Sequence, residues 1–502
     1  MTAAPDFAIV VPTIGRESLY RLLAVLDRAP GPAPAAVLVV DDRRAAAPPL
    51  LAVTDRLPIT VLRSGGRGPA AARNTGWRSA GPSVRWICFL DDDVIPDDDW
   101  LMRLGCDLEA AERAGWAATQ GRLTVPAEPG RRATDDERRT QRLAQAQWIT
   151  ADMAYRRSAL VAVGGFDERF PRAYREDSDL ALRVTQAGGQ IGRGQRHCTH
   201  PVAPAGWRSA VRAQIGNHDD ALMRRKHGRR WRRAIGEGRG RLPGHIATSV
   251  AGLAAVVALA LGRRRAAGVA AAGWLALTTE FGVRRFAAGP RTAAQALRLA
   301  VSTVAIPPVA VAHRLRGWWD YRGALRNPPL AVLFDRDDTI IEDGPYLNDP
   351  AGVRPVPGAA AALDLLRRRG LRLGVVTNQS GVAKGLITPH QLASVNARVD
   401  EVLGPFDAWQ VCVHDAGDNC ACRKPSPGMV QAAADELGVQ PSRCVMIGDT
   451  GGDVDAALAA HADAVLVPTE RTLAHEISAA RSRARVAPTL RAAVDMVLRD
   501  CR

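Results

Sequence analysis

The strongest constraint on the fold of this 502-residue chain is a set of short apolar runs that each end in polar side chains. The clearest run, LAVLF at 330–334, leads directly into Asp335, Asp337 and Asp338. A buried strand that ends in carboxylates presents them at the carboxyl edge of an α/β sheet, where such folds bind ligands. Aspartates after an apolar run are also typical of turns and helix caps, so the pattern needs support from elsewhere.

Three later stretches supply that support, in the order VVTNQSG (375–381), CRKPSPG (422–428) and VMIGDTGGD (445–453). They add hydroxyl and amide donors, a lysine before a helix start, and two further carboxylates, Asp449 and Asp453. A nucleophilic carboxylate, an acid/base carboxyl, donors for phosphoryl oxygens and acids for magnesium together predict a phosphate monoesterase. Only three of the 67 basic residues are lysines. A lysine kept at 424 therefore indicates a need for a compact point charge.

These motifs resemble the haloacid dehalogenase-like phosphatase superfamily over roughly residues 330–469. The resemblance implies that Asp335 attacks phosphorus and that Asp337 acts first as acid and then as base. It implies that Thr377 and Lys424 hold the phosphoryl group. It also implies a Mg²⁺ ion bound by Asp335, Asp449 and the backbone carbonyl of Asp337. One departure is Asp338, which stands where the family usually has glycine and is expected to crowd the loop beside the nucleophile.

Inside this region lies a cysteine and histidine cluster, Cys412-x-His414-x5-Cys420-x-Cys422. Three thiols and one imidazole within eleven residues match a closed, tetrahedral Cys₃His zinc site. The alternative is a set of unrelated free cysteines, but three of the chain's eight cysteines fall here. A closed Zn²⁺ site would stabilise the loop and hold Arg423 and Lys424 over the phosphate rather than perform chemistry.

With this loop, the DRD and TNQSG motifs resemble the branch that contains D,D-heptose 1,7-bisphosphate 7-phosphatases and histidinol-phosphatases. Asp343, Gly344 and Tyr346 stand where the heptose enzymes contact substrate, so a sugar phosphate is the expected substrate. Histidinol phosphate or another phosphomonoester remains the alternative. The residues expected to bind substrate in this domain are Asp343, Gly344, Tyr346, Thr377, Asn378, Gln379, Ser380, Arg423 and Lys424.

The N-terminal part carries a second series of apolar runs, FAIVVPTIGR (7–16), AAVLVVDD (35–42) and VRWICFLDDD (84–93). Their alternation with helical patterns predicts a doubly wound α/β sheet with its acids along one edge. Three consecutive acids repel one another unless they share a cation, and a divalent metal bridging a diphosphate is the natural one. An exposed acidic turn is the alternative.

The surrounding motifs, RGPAAARNTGW (67–77), GGFDERF (164–170) and REDSDLALR (175–183), resemble a family 2 inverting glycosyltransferase of the GT-A fold over roughly residues 7–193. The resemblance implies that Asp42 contacts the donor nucleoside, with Arg73 near it. Asp91 and Asp93 would bind Mg²⁺ or Mn²⁺ and the diphosphate. Asp177 would be the base that deprotonates the acceptor, with Glu176 beside it.

The middle of the chain is both basic and apolar. Residues 207–330 hold 22 Lys and Arg against 5 Asp and Glu, a net +17, whereas the whole chain carries +15. No nucleic-acid motif accompanies these arginines, so an anionic membrane surface is the expected partner and nucleic acid is not. The apolar runs cover 246–262 and 266–283, with a third candidate at 293–312 interrupted by Arg298 and Pro307-Pro308.

A seventeen-residue helix reaches about 25 Å, short of a hydrocarbon layer of about 30 Å. Both predicted enzymes use substrates found in the cytosol, so both catalytic domains should lie on the same side of the membrane. That arrangement requires zero or an even number of membrane spans. A two-span hairpin would place Arg263–265 outside, against the positive-inside tendency. We therefore expect helices that lie in or dip into the inner leaflet. A helical linker packed on the transferase is the alternative.

The sequence thus predicts an α/β protein of three parts: a GT-A glycosyltransferase domain at 1–206, a basic, apolar, membrane-associated helical segment at 207–329, and a haloacid dehalogenase-like phosphatase domain with a zinc loop at 330–502. The expected function is a bifunctional enzyme that uses a nucleotide-sugar donor and a sugar phosphate. No secretory signal is evident in MTAAPDFAIVVP, so the expected location is the cytoplasm, at the inner face of the membrane. In a rival hypothesis one domain is inactive and serves as a membrane scaffold.

Overall fold

The computed structural model describes residues 6–44, 48, 50, 54–202, 206–342, 344 and 346–501. The chain divides into two compact units, Met1–Arg322 and Gly323–Arg502. The helical middle segment belongs to the first unit, and each unit has a sheet of its own.

The first unit is built on a mixed sheet, which in the described residues has eight strands in the order β3-β2-β1-β4-β7-β6-β8-β5. β1 pairs in parallel with β2 and β4, whereas β7 runs antiparallel to both β4 and β6. The strands are β1 (Phe7–Thr13), β2 (Ala36–Asp41), β3 (Ile59–Arg63), β4 (Trp86–Leu90), β5 (Ile95–Pro96), β6 (Ala118–Thr124), β7 (Asp152–Arg156) and β8 (Ile191–Thr199).

Helices cover both faces of this sheet, which is why β1, β2 and β4 are apolar along almost their whole length. On β1, Phe7, Ile9 and Val11 join one core while Ala8 and Val10 join the core on the opposite face. The helices of this unit are α1 (Glu17–Arg28), α2 (Pro69–Ser79), α3 (Trp100–Arg113), α4 (Asp135–Gln141), α5 (Arg157–Val163), α6 (Glu176–Gln186), α7 (Ser209–Arg212), α8 (Gly216–His227), α9 (Trp231–Ala234), α10 (Leu242–Ala260), α11 (Arg264–Ala288) and α12 (Ala293–Asp320).

Three of these helices, α10 to α12, are long and apolar enough to cross a membrane, judged by length and composition. Helix α12 continues through Pro307 and Pro308, so the expected interruption at this pair does not end the helix. The two prolines only remove two N–H donors from its hydrogen-bond ladder. Gly317 lets α12 lie close against α8, since a Cβ there would come within 2.5 Å of the His218 carbonyl oxygen.

The second unit is an α/β domain whose described strands form a parallel sheet in the order β11-β10-β9-β12-β13-β14. Its strands are β9 (Ala331–Phe334), β10 (Arg372–Asn378), β11 (Ala408–Cys412), β12 (Cys444–Gly448), β13 (Asp463–Leu466) and β14 (Arg485–Val486). Its helices are α13 (Ala359–Arg368), α14 (Pro389–Leu403), α15 (Gly428–Glu436), α16 (Gly451–Ala459), α17 (Ala474–Arg483) and α18 (Leu490–Asp500).

Strand register brings the polar strand ends of this unit together. Phe334 at the end of β9 pairs with Val375 on β10 and with Ile447 on β12. Asp335, Thr377 and Asp449 therefore follow at the same edge of the sheet, as parallel strands require. The predicted α/β fold class, with a GT-A-type sheet, a helical middle and a parallel C-terminal sheet, is confirmed.

Candidate active sites

At the carboxyl edge of the second sheet, one buried lysine contacts two acids, and a third acid lies close to those two. Lys424 Nζ lies 2.9 Å from Asp335 Oδ1 and donates a 2.6 Å hydrogen bond to Asp453 Oδ1. The same ammonium donates to the carbonyl of Val376 at 2.9 Å, so its three protons have partners. One carboxylate oxygen from each of Asp335, Asp449 and Asp453 lies within 4.8 Å of the others. Such a group of acids is able to hold a divalent cation.

The electrostatics of this cluster favour added positive charge. Burial, followed by the charges of Asp335 and Asp453, raises the pKa of Asp449 to about 8. Burial also raises the pKa of Asp335 to about 7, although the neighbouring Lys424 opposes the shift. One lysine does not neutralise three crowded carboxylates, so a divalent ion would stabilise their charged forms.

Asp337, the predicted acid and base, is held from two sides. Arg336 Nε donates to its Oδ1 at 3.0 Å and Gln379 Nε2 donates to its Oδ2 at 2.6 Å. The Arg336 side chain is almost fully buried and is itself anchored on Asn396. Gln379 also donates to Thr377 Oγ1 at 2.9 Å, which links Asp337 to the predicted phosphoryl-binding hydroxyl.

Asn378 and Asp453 position the lysine. The Asn378 side chain accepts from the backbone N–H of Lys424 at 3.1 Å and donates to its carbonyl at 3.2 Å. Asp453 Oδ2 accepts from the N–H and hydroxyl of Thr450 and so caps α16, while Oδ1 contacts the lysine. Ser380, the last residue of the predicted donor run, is half-buried, and its carbonyl accepts from the Lys384 N–H.

Asp338 has a left-handed backbone, with φ of 54°. This conformation favours glycine, and aspartate is among the few other residues that tolerate it. The Asp338 carboxylate turns toward the exposed Arg471, 3.5 Å away. The departure from glycine is therefore accommodated by local geometry.

The four predicted zinc ligands converge at the end of β11. Cys422 Sγ lies 3.4 Å from both Cys412 Sγ and Cys420 Sγ, and 3.3 Å from His414 Nδ1. Thiolates about 2.3 Å from one zinc ion would lie about 3.8 Å apart in a tetrahedron, so the donor set fits a closed zinc site. Arg423, from the same loop, donates to the His414 carbonyl at 3.2 Å.

The predicted sugar contacts flank β10. Tyr346 is 45% exposed, and its ring lies 5.9 Å from Lys384 Nζ. A Cβ on Gly381 would come within 2.8 Å of the Tyr346 ring, so glycine permits this close approach. Gly344 accepts from the Leu347 N–H at 3.1 Å. Asp343 lies outside the described residues.

In the first unit, Arg73 joins the two predicted acidic motifs. This nearly fully buried guanidinium donates to Asp91 Oδ1 at 2.6 Å and to Glu176 Oε1 at 2.9 Å. Burial lowers the pKa of Arg73, but the charges of Asp91 and Glu176 outweigh that effect and raise it. The strand end of β4 and the start of α6 therefore share one edge of the sheet.

The remaining acids after β4 contact residues from the end of β1. Asp92 accepts from Thr13 Oγ1 at 2.6 Å and from Arg16 at 3.0 Å. Arg16 also donates to Asp93 Oδ2 at 2.8 Å, and His200 Nε2 lies 3.7 Å from Asp93 Oδ1. Arg73 and Arg16 thus each hold one of the two acids predicted to bind metal and diphosphate.

The acid pair at the start of α6 has raised pKa values. Burial and the charge of Asp177 raise the pKa of Glu176 to about 8. Burial raises the pKa of Asp177 as well, against the N–H of Ser178, which donates to its Oδ1 at 2.6 Å. A carboxylate whose pKa is raised toward neutral pH is suited to general base catalysis.

Asp42, the predicted nucleoside contact, lies just past the end of β2. Its carboxylate accepts from Ser64 Oγ at 2.6 Å and from the N–H of Gly68 at 2.9 Å. The Gly68 N–H directly precedes α2, so Asp42 fixes the start of the helix that carries Arg73.

Sequence reasoning missed three functional candidates. Arg336 stands between two aspartates without a predicted role, Asp453 is predicted only as a strand-end acid, and Arg16 belongs to the first apolar run without a predicted role. Each follows an apolar strand within five residues, which is the signal that could have singled them out.

Comparison with known proteins matches part of each unit to a family. Residues 8–150 match glycosyl transferase family 2, and residues 351–461 match the haloacid dehalogenase-like hydrolases. The D-glycero-beta-D-manno-heptose-1,7-bisphosphate 7-phosphatase of Pseudomonas putida is 37% identical over 150 residues, which cover 28% of this chain and 86% of that protein. The same-named protein of Yersinia pestis is 34% identical over 162 residues, 30% of this chain and 86% of that protein.

Among solved structures, the D,D-heptose 1,7-bisphosphate phosphatase from B. bronchiseptica, complexed with magnesium and phosphate, is 28% identical. It matches with a TM-score of 0.32 over 34% of this chain and 99% of that chain. The family matches and curated relatives confirm both resemblances drawn from the sequence. The chain is an enzyme that belongs to the haloacid dehalogenase-like hydrolases, and its N-terminal residues 8–150 match glycosyl transferase family 2.

Proposed function

We propose that the second unit is a magnesium-dependent phosphatase that hydrolyses a sugar phosphate. The observation that carries this proposal is the cluster of Asp335, Asp449 and Asp453, two of which contact the buried ammonium of Lys424. Asp335 is the nucleophile, at the end of a rigid central strand. Asp337 is the acid and base, with its carboxylate oriented by Arg336 and Gln379. Thr377 and Lys424 bind the phosphoryl oxygens.

Asp335 and Asp449, with the backbone carbonyl of Asp337, are the proposed ligands of Mg²⁺. Oxygen donors alone are what this hard cation prefers, and the crowded carboxylates are stabilised by it. When bound, the ion would neutralise charge on the phosphoryl oxygens as the ester bond breaks. Lys424 contributes a second, fixed positive charge in the same place, and Asn378 keeps it there.

The proposed substrate is D-glycero-D-manno-heptose 1,7-bisphosphate, cleaved at the 7-phosphate. The curated relatives with this activity support it, as do Tyr346 and Gly344 beside the site. The test is phosphate release from a panel that contains this bisphosphate, histidinol phosphate and simple sugar phosphates. A clear preference for the bisphosphate supports the proposal, and equal or better turnover of histidinol phosphate refutes it.

For the first unit we propose inverting transfer of a sugar from a nucleotide donor. Asp91 and Asp93 would bind Mg²⁺ or Mn²⁺, Asp42 the nucleoside, and Asp177 would deprotonate the acceptor with Glu176 beside it. The connection from Asp91 through Arg73 to Glu176 supports this arrangement, because it holds the leaving-group side and the base side of one site together. The test is metal-dependent transfer or hydrolysis with a panel of nucleotide sugars.

We further propose the three-part organisation at 1–206, 207–329 and 330–502, with the middle part associated with the inner face of the cell membrane and with Zn²⁺ in the cysteine loop. The apolar helices support membrane association, since only 11% of the apolar window of α10 and 17% of that of α11 is buried within the protein. Co-sedimentation of the full chain with membranes tests this part, and recovery in the soluble fraction alone refutes it.

A further inference from the structure

A basic cavity of about 480 Å³ lies outside the proposed transferase site, on the first unit. Arg139 at the end of α4 forms one side of it, and the segment from Gly206 to Ala213 forms the rest. Three of the residues that line it are arginines: Arg139, Arg208 and Arg212. A lining of this kind favours an anionic ligand.

Most of the positive charge of this cavity is not neutralised by the protein. In the described part of the chain, neither Arg208 nor Arg212 forms an ion pair with a carboxylate, and both side chains are exposed. Arg208 lies over the ring of Trp207 at 4.8 Å. Only Arg139 has an acidic partner, Asp136 at 2.8 Å, and that carboxylate also accepts from Arg298. The cavity therefore retains a net positive charge.

The cavity borders the apolar helices. Arg298 of α12 donates to the Gly206 carbonyl at 2.7 Å and to Ser209 Oγ at 3.1 Å, which fixes the cavity wall on that helix. Next to Arg298, α12 exposes Leu297 and Val301, which are 69% and 51% accessible. Trp207, at the cavity itself, is 57% exposed. Arginines and a tryptophan beside an exposed apolar helix are the combination found at the level of lipid headgroups.

We infer that this cavity binds the phosphate group of an anionic membrane lipid. Arginine guanidinium groups match phosphate oxygens in geometry and charge, and Trp207 is suited to the interfacial layer. The apolar surface at Leu297 and Val301 distinguishes a lipid from free phosphate, because acyl chains would cover it. The inference rests on the membrane association proposed above and adds one specific headgroup site to it.

The test compares the full-length chain in neutral detergent micelles supplied with phosphatidylglycerol or phosphatidylcholine. Lipid retained per protein is counted by native mass spectrometry. The double variant Arg208→Gln/Arg212→Gln removes the two unpaired charges, and we expect about a tenfold or greater loss of apparent affinity for phosphatidylglycerol. The matched control is Arg229→Gln/Arg230→Gln, which removes two exposed arginines from the same unit. The control should retain the lipid as the wild type does.

Three outcomes overturn the inference. Equal losses in both double variants would indicate nonspecific attraction, and no loss in the cavity variant would mean that the lipid binds elsewhere. Displacement of the lipid by equimolar soluble glycerol phosphate would indicate a site for free phosphate. Co-sedimentation separates these results from failure of the membrane proposal, since a wild-type chain that sediments with membranes supports that proposal even if the cavity variant behaves normally.

Discussion

Lys226 in the first unit and Lys424 in the second are both buried, and each ammonium lies between two aspartates. Lys226 contacts Asp167 and lies 2.6 Å from Asp179. Those carboxylates have further partners: Arg169 contacts Asp167, Arg183 contacts Asp179, and the His227 ring lies 2.8 Å from Asp179. In the described part of the chain, Lys424 is by contrast the only cation that pairs with Asp335 or Asp453, and Asp449 lies close to both of these acids.

The pKa values show what this difference means. Burial acts to raise the pKa of Asp167, but Lys226 and Arg169 outweigh it and hold that pKa well below its ordinary value. Burial raises the pKa of Asp335 to about 7, since one lysine is set against two neighbouring acids. In the first unit the lysine and aspartates form a network in which every carboxylate has a cationic partner, whereas in the second unit the acids retain negative charge that a cation could neutralise.

The largest expected effect is a loss of phosphatase activity when the cluster of Asp335, Asp449 and Asp453 is changed. Asp335→Asn keeps the shape of the side chain but removes the nucleophile, so phosphate release should fall at least about 10³-fold. Sugar transfer by the first unit should not change, which provides an internal control for folding. Phosphate release equal to wild type would remove Asp335 from the mechanism.

A change in the network around Lys226 should lower the free energy of unfolding of the first unit rather than its activity. Lys226→Met leaves Asp167 and Asp179 short of one buried cation, and we expect about 3 kcal/mol of destabilisation of the first unit. Urea unfolding followed by tryptophan fluorescence measures this, because ten of the eleven tryptophans belong to that unit. Lys384→Met, at the remaining and partly exposed lysine, is the matched control and should have no effect on this transition. A shift of less than about 0.5 kcal/mol for Lys226→Met would contradict the comparison.

A third prediction concerns the transferase acids. Asp93→Ala should reduce metal-dependent use of the nucleotide sugar about 10²-fold, since it removes one of the two proposed metal ligands. Phosphate release by the second unit should remain. Asp98→Ala, an exposed aspartate five residues further on, should leave both activities intact. If both alanine variants behave alike, Asp93 has no special role.

The smallest effect is expected at Asp338. Replacement by glycine suits the left-handed backbone, so stability should rise by no more than about 1 kcal/mol and kcat/KM should change less than about threefold. His461→Gly, at another residue with positive φ, gives the comparison for backbone effects alone. A tenfold loss of kcat/KM in Asp338→Gly alone would make this carboxylate part of the active site.

Sequence patterns predicted the parts of the fold that depend on local order. Apolar runs that end in polar side chains located β1, β2, β4, β9 and β12, and parallel register then explains why Asp335 and Asp449 meet. The antiparallel placement of β7 between β4 and β6 could not be predicted, because it depends on pairing between distant segments. The continuity of α12 was missed because proline preferences alone favour a break at Pro307.

The candidate site residues likewise divide into those that sequence motifs predict and those that depend on contacts between distant segments. Asp91, Asp177 and Lys424 stood out because they occupy motif positions. The clamp of Arg336 and Gln379 on Asp337 was not predictable, since it joins the ends of two different strands through side-chain conformations that no spacing encodes. The network around Lys226 was not predictable for a related reason. It joins Asp167 and Asp179 to Lys226 and His227 on α8, about fifty residues later in the chain, and no sequence spacing indicates that pairing.

Arg73 has one further consequence. Its two terminal nitrogens serve two separate partners, Asp91 and Glu176. A lysine would have to serve both carboxylates from one nitrogen, as Lys226 and Lys424 do elsewhere, so Asp91 and Glu176 could not keep positions that each match a separate nitrogen of the planar guanidinium. Arginine abundance, which looks like a uniform bias of composition, thus has at residue 73 a reason in bond geometry.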